Sequence, residues 1–219
     1  MSGLVQVRRA AVALFAERGF AATGIRDIGR AVGLNPATLY HYVGSKEDLL
    51  IGMLRESQED LLRAGRDAFG ASADPAIQLA RLVRVHVATE AVNPLISRVS
   101  DHEVHALTGR NREVIVGLRD DYESLFHRAL AAGAQTGQFL VTDLPVARYA
   151  LLEMCNGVAD WYQPDGRLSI AELQDLYSEL ACRMVGGRIV TRAECEPPVA
   201  ITRLGWEPVP PAGTEQASA

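Results

Sequence analysis

Apolar residues recur at helical spacing through most of this chain, and the first stripes are short. Leu4, Val7, Ala11, Leu14 and Phe15 share one face over residues 4–18, which Gly19 is placed to end while Phe20 folds back as the contact of the cap. Ile25, Ile28 and Val32 follow at i, i+3 and i+7, and Gly33 stops that second helix by supplying a left-handed residue. Asn35 caps a third helix over residues 36–42, and Pro36 fits its first position, where the missing N–H costs nothing. Leu39 and Val43 turn back to the second helix. Ser45 and Asp48 form a capping box at the head of a fourth, whose stripe of Leu49, Leu50, Met53, Leu61, Leu62 and Phe69 runs on to Gly70. That length exceeds what a three-helix unit needs, so the fourth helix reads as the link to a second domain.

The second half repeats the pattern at greater length. Asp74-Pro75 opens a helix that ends near Asn93-Pro94, and a shorter one reaches about Leu107. From Asn111 to about Thr136 the stripe is cleanest, with Ile115, Leu118, Tyr122, Leu125, Phe126, Ala129 and Leu130 on one face. Asp143 and Pro145 start an eighth helix that continues to Trp161 and is apolar nearly all round, so it must be covered on more than one side. After Pro164-Asp165-Gly166, a second capping box, Ser169 with Glu172, opens a last helix carrying Leu173, Leu176, Tyr177, Leu180 and Met184 as far as Gly186-Gly187. The pattern predicts an all-α chain: a three-helix domain over residues 1–48, a six-helix domain over 49–187, and a Pro-rich tail over 188–219. In that tail Ile201, Leu204 and Trp206 point to contact with the body, and the final eight residues read as disordered.

The third helix carries the first candidate chemistry. Its outward residues, Ala37, Thr38, Tyr40, His41 and Tyr42, are small, hydroxylated or aromatic with no acid among them, a surface suited to a major groove of phosphates, thymine methyls and base edges. Lys46, at the mouth of the fourth helix, is placed to grip a phosphate. The run AERGFAATGIRDIGRAVGL, followed by TLYHYVGSKEDL over Thr38 to Leu49, closely resembles the DNA-binding domain of the TetR family of bacterial transcriptional repressors; the likeness is dense over residues 4–55. The resemblance implies an all-α homodimer, three helices on double-stranded DNA and six holding an inducer cavity and the dimer contact. It places Thr38 and His41 toward bases, Tyr40, Tyr42 and Lys46 toward phosphates, and Thr23 and Arg26 as further phosphate contacts. GVADWYQPDGRLSIAEL, from Gly157 to Leu173, resembles a KstR-like subgroup that answers to acyl-CoA thioesters.

Composition adds a division of charge. The net charge of −5 looks wrong for a nucleic-acid binder, yet residues 1–46 hold six basic groups against Glu17 and Asp27, and the rest of the chain is acidic. A small basic patch on an acidic body favours a specific regulator over a protein that coats DNA. With 219 residues and 48% hydrophobic content a sizeable core is available, and the sequence shows neither a long apolar run nor a signal-peptide pattern, so a cytoplasmic, membrane-free protein is expected. Cys155, Cys182 and Cys195 are odd in number and widely spaced, which speaks against a disulfide framework or zinc knuckle.

No catalytic, cofactor or metal motif emerges. His102 and His105 flank Glu103 at i and i+3, but HEVH falls one residue short of HExxH and reads as the polar end of a helix. Glu153, Asn156 and Asp160 align on the eighth helix either as a solvated stripe or as the polar wall of a ligand site. Tyr122, Phe126, Tyr149, Met154, Trp161 and Tyr162 supply lining for an effector cavity. Arg98, Arg110, Arg112, Arg119 and Arg148 are able to meet a phosphate-bearing headgroup. Leu173, Leu176, Leu180 and Met184 suit a four-helix dimer contact. These features predict a repressor released from a palindromic operator by an acyl-CoA or steroid-derived CoA thioester. The alternatives are a drug-sensing regulator of an efflux pump and, in another class, an all-α enzyme or binding module that keeps the helix-turn-helix only for packing.

Overall fold

A computed structural model describes residues 3–209 and is helical throughout its regular elements. The helices are α1 (Gly3–Arg18), α2 (Ile25–Val32), α3 (Pro36–Val43), α4 (Lys46–Gly70), α5 (Pro75–Val92), α6 (Pro94–Glu103), α7 (Gly109–Gln135), α8 (Leu144–Asn156), α9 (Val158–Trp161) and α10 (Ile170–Met184). Local signals set most of these ends. Gly33 closes α2 at φ +70°, and Leu34 N–H reaches back to Gly29 O over 2.9 Å. Asn35 Oδ1 accepts from Thr38 N–H at 2.9 Å, and the Ser45 and Asp48 side chains each cap the other's backbone N–H at 3.0 Å. The Ser169–Glu172 box opens α10 in the same way. One boundary differs: the single helix expected from Asp143 to Trp161 is interrupted at Gly157, which separates α8 from α9.

Two apolar clusters organise the packing, and α4 belongs to both. Its first half, Leu49 to Leu54, packs with α1, α2 and α3 through Val7, Phe15, Ile28 and Leu39. Its second half, Leu61 to Ala68, joins α5, α7, α8 and α10. Because the clusters change over inside one continuous helix, motion in the second half cannot leave the first untouched. Helix α5 is buried nearly all round, and its polar side chains therefore need partners: Arg84 pairs with Asp175 of α10 at 2.6 Å, and Arg81 donates to the carbonyls of Ala68, Cys195 and Pro197. The three cysteines are buried and unbridged.

The segment after α10 is more than a loose tail. Arg188 ties it to Asp74 at 2.9 Å, Asn93 exchanges hydrogen bonds with Thr202 and Leu204, and Arg9 of α1 donates to Gly205 O at 3.2 Å. Leu204 and Trp206 are buried in the N-terminal cluster. Ile201, as the sequence indicated, packs on the other. The Glu207 carboxyl accepts from Leu95 and Ile96 N–H at 2.7 and 3.3 Å, which caps the exposed donors at the head of α6. This proline-broken segment thus straps α5 and α6 to α1. The eight terminal residues read from sequence as disordered lie outside the described residues.

Candidate DNA-reading face and effector cavity

Leu39 and Val43 of α3 point inward, and the opposite side is open. Tyr40 is 50% exposed, Tyr42 is 44% exposed, Ala37 and His41 are exposed and Thr38 partly so. Arg26 and Arg30 of α2 stand exposed beside them, and Arg30, which sequence reasoning passed over, has only a long 3.8 Å contact to Asp27. The outward face of α3 is thus free of acids and flanked by arginines.

Two residues expected at phosphates are engaged within the protein. Thr23 is only 1% exposed, and its hydroxyl donates to Gly19 O at 2.9 Å and Leu14 O at 3.3 Å, so it has no donor to offer DNA. The Lys46 ammonium lies 4.0 Å over the Phe20 ring and donates to Phe20 O at 2.7 Å and Thr23 O at 2.9 Å. Two carbonyls and an aromatic face engage it, so it clamps the α1–α2 turn against α4.

A partly open cavity of about 260 Å³ lies among α4, α5, α6, α7 and α8. Its floor is polar. His86 and Glu90 stand one turn apart on α5, and Tyr122 faces them from α7 with its ring 5.5 Å from the His86 ring. The His86 Nε2–H donates to Asn156 Oδ1 at 2.8 Å, and Gln58 donates to Ser100 at 2.8 Å. Burial pushes the His86 imidazole down to about 4, although the Asn156 bond opposes the shift. Burial likewise raises the Glu90 carboxyl and the Tyr122 phenol well above their usual ranges, with Asp101 adding to the effect on Glu90. Burial thus disfavours charge on both sides of the 3.6 Å approach of His86 to Glu90. At the mouth Asp101 pairs with Arg119 at 2.9 Å, and burial raises its carboxyl to about 6 despite that arginine. Beside the cavity, Glu153, Asn156, Asp160 and His102 line a groove that shares the Asp101–Arg119 pair.

The expected lining is met in part. Tyr122 and Tyr149 line the cavity, but Phe126 is buried behind it, Met154 packs into the core, and Trp161 stands outside, its ring stacked 6.4 Å from that of Tyr177. Glu153 and Asn156 line the cavity and, with Asp160, the groove beside it, while Glu153 and Asp160 also stand exposed to solvent. Of the five arginines suggested for a headgroup, only Arg119 lines the cavity, already paired with Asp101, while Arg148 rests 4.6 Å from the Tyr149 ring and pairs with Glu123. His86 and Glu90 were missed because α5 is buried on every side, so their polarity stands out only once its neighbours are known. His102 and His105 are exposed, and the described residues hold no group of three metal-ligating side chains. Nor is any described helix long and apolar enough to cross a membrane.

On α10, Leu176, Leu180 and Met184 are exposed, as are Val146 and Tyr149 on α8, so a band of apolar side chains faces outward. Leu173 is the exception: it is wholly buried in the chain's own core, where Tyr162, Leu168 and Ile170 pack, and is unable to meet a partner.

Residues 7–53 match the family described as bacterial regulatory proteins, tetR family, and residues 72–185 match the tetracyclin repressor-like C-terminal domain. The chain belongs to the TetR family: it is a ligand-responsive, helix-turn-helix transcriptional regulator. Its particular likeness is to the HTH-type transcriptional repressor KstR2 of Mycobacterium tuberculosis, 30% identical over 81% of this chain and 92% of that protein. A solved tetR-family regulatory protein from Rhodococcus RHA1 is 29% identical, with a TM-score of 0.76 over 86% of this chain and all of that one. AibR, solved with isovaleryl coenzyme A and operator DNA, shares the fold at 23% identity, with a TM-score of 0.69 over 83% of this chain and 97% of its own.

Proposed function

We propose that this regulator represses as a homodimer on a palindromic operator and is released by a bulky hydrophobic effector, an acyl-CoA or steroid-derived CoA thioester. One observation carries the coupling. Helix α6 lines the cavity with Ser97, Ser100 and Asp101, and its last residue, Glu103, accepts Phe20 N–H at 3.0 Å in the turn that leads into α2. An effector that shifts α6 therefore moves the helix-turn-helix, and two such units joined through α8 and α10 would lose the half-site spacing they need. Support for the effector class comes from the likeness to KstR2 and from the AibR fold, which in that protein accommodates both an acyl-CoA and DNA. The acidic mouth bars phosphates, so the acyl portion enters while the coenzyme A headgroup stays outside, past Tyr149.

That same mouth favours a second reading, a cationic drug-like ligand, since Asp101, Glu153 and Asp160 outnumber Arg119 there. Calorimetry with CoA thioesters, their free acids and cationic drugs, followed by a gel shift on the DNA flanking the gene, separates the two. Release by CoA thioesters supports the proposal. Release by cations alone, with every thioester inert, removes it.

A further inference from the structure

Three residues that line the cavity each carry a buried polar atom that nothing in the protein satisfies. Buried side chains are ordinarily hydrogen-bonded, because each unmet donor or acceptor destabilises the fold. Yet His86 Nδ1, Glu90 Oε2 and the Tyr122 hydroxyl are all buried without a partner, and all three residues line this one cavity. They come from two helices, α5 and α7, so a single local distortion does not account for them. Their chemistry is complementary and specific. With Asn156 Oδ1 accepting from Nε2–H, the His86 ring carries no proton on Nδ1, which is left as a bare acceptor. The Tyr122 phenol has a proton to give, and burial favours the protonated form of the Glu90 carboxyl, which can give one as well.

We infer that the buried end of the effector carries a hydroxyl group, which donates to His86 Nδ1 and accepts from Tyr122 or Glu90. This inference rests on the effector cavity of the preceding section and narrows what enters it. A saturated hydrocarbon end leaves all three atoms stranded. A ketone accepts from Tyr122 or Glu90 but has nothing to give Nδ1. A carboxylate has no proton to donate at neutral pH and must pass Asp101, Glu153 and Asp160, which repel it. An ammonium group donates to Nδ1 but leaves the Tyr122 hydroxyl proton without an acceptor.

Matched ligands of equal length test this in the full-length protein: a straight-chain acyl-CoA, its ω-keto form and its ω-hydroxy form. The same three ends are also presented as uncharged methyl esters and as an ω-ammonium compound. Titration calorimetry should rank the hydroxy member at least about tenfold tighter than the hydrocarbon in each series, with the ketone between them. In Tyr122→Phe, which loses a donor to the hydroxyl, the hydroxy preference should shrink while the affinity for the hydrocarbon member holds. Equal affinities for hydroxy and hydrocarbon members in the wild type overturn the inference whether or not the variant folds. A preference for the ω-ammonium compound overturns it too. If hydroxy methyl esters bind and no CoA thioester does, the hydroxyl assignment stands and the CoA assignment of the preceding section fails.

Discussion

Replacing Trp206 by alanine tests whether the segment beyond α10 is part of the working structure. Trp206 is 2% exposed, and it joins a cluster that includes Val7 and Phe15 of α1 and Ile96 of α6. Truncating a fully buried tryptophan costs about 3–5 kcal/mol through lost apolar contact and the cavity left behind. Its indole Nε1 is buried without a partner, so removing it returns part of that cost, on the order of 1 kcal/mol. A net loss of roughly 2–4 kcal/mol is expected, which for a chain of this size lowers the midpoint by about 5–15 °C. Urea unfolding followed by tryptophan-independent far-UV circular dichroism measures it, at constant protein concentration because a dimer's stability depends on concentration. Because the strap also holds α6 against α1, the variant should show a weaker coupling between effector and DNA. A change in stability below about 1 kcal/mol, with coupling unaltered, would refute the idea that this segment joins the two halves.

Further expectations follow from single side chains. Lys46→Ala should cost about 1.5–3 kcal/mol of stability, since two charge-assisted hydrogen bonds are lost, yet leave the slope of log K against log salt unchanged; a slope reduced by about one unit returns Lys46 to the phosphates. Leu180→Glu places a charge on the apolar band of α10 and should give monomers in sedimentation, and an intact dimer would move the contact elsewhere. Burial raises the Glu207 carboxyl from the ordinary value of 4.5 to about 7, against the pull of its two backbone N–H bonds and of Arg203 and Arg98. The folded protein therefore holds a proton that the unfolded chain has lost, and stability falls as pH rises from about 4.5 to 7, by roughly 3 kcal/mol for this group. Glu207→Gln should flatten that part of the pH profile relative to wild type, and identical profiles would contradict the assignment.

The helix-turn-helix was legible because its signals are local. Gly33, Asn35 and the Ser45–Asp48 box act within a few residues of where they stand, and α3 presents inner and outer faces by simple periodicity. Lys46 misled for the opposite reason: its partners Phe20 and Thr23 lie more than twenty positions back, and only the folded α1–α2 turn brings their carbonyls under the ammonium. The cavity was hidden by α5, whose polar residues occupy several faces and so form no stripe. Aromatic residues drew the sequence reading toward Phe126 and Trp161, whereas the walls come from short polar side chains on α6 and from Glu153 and Asn156 of α8. The strap escaped because proline-broken chain has no period to read, and Arg81, Asn93 and the head of α6 hold it through space.

Helix α6 touches both the cavity and the turn before α2, so the most direct measurement is the coupling between effector and operator in Glu103→Gln and Glu103→Ala. Wild-type protein should show ligand and DNA weakening each other equally, by a coupling of about 1–3 kcal/mol. Glu103→Ala, which loses the acceptor for Phe20 N–H, should keep both binding events and reduce the coupling, while Glu103→Gln, which keeps an acceptor oxygen, should largely preserve it. Wild-type coupling in Glu103→Ala, at unchanged affinity for each partner, would contradict the claim that α6 carries the signal.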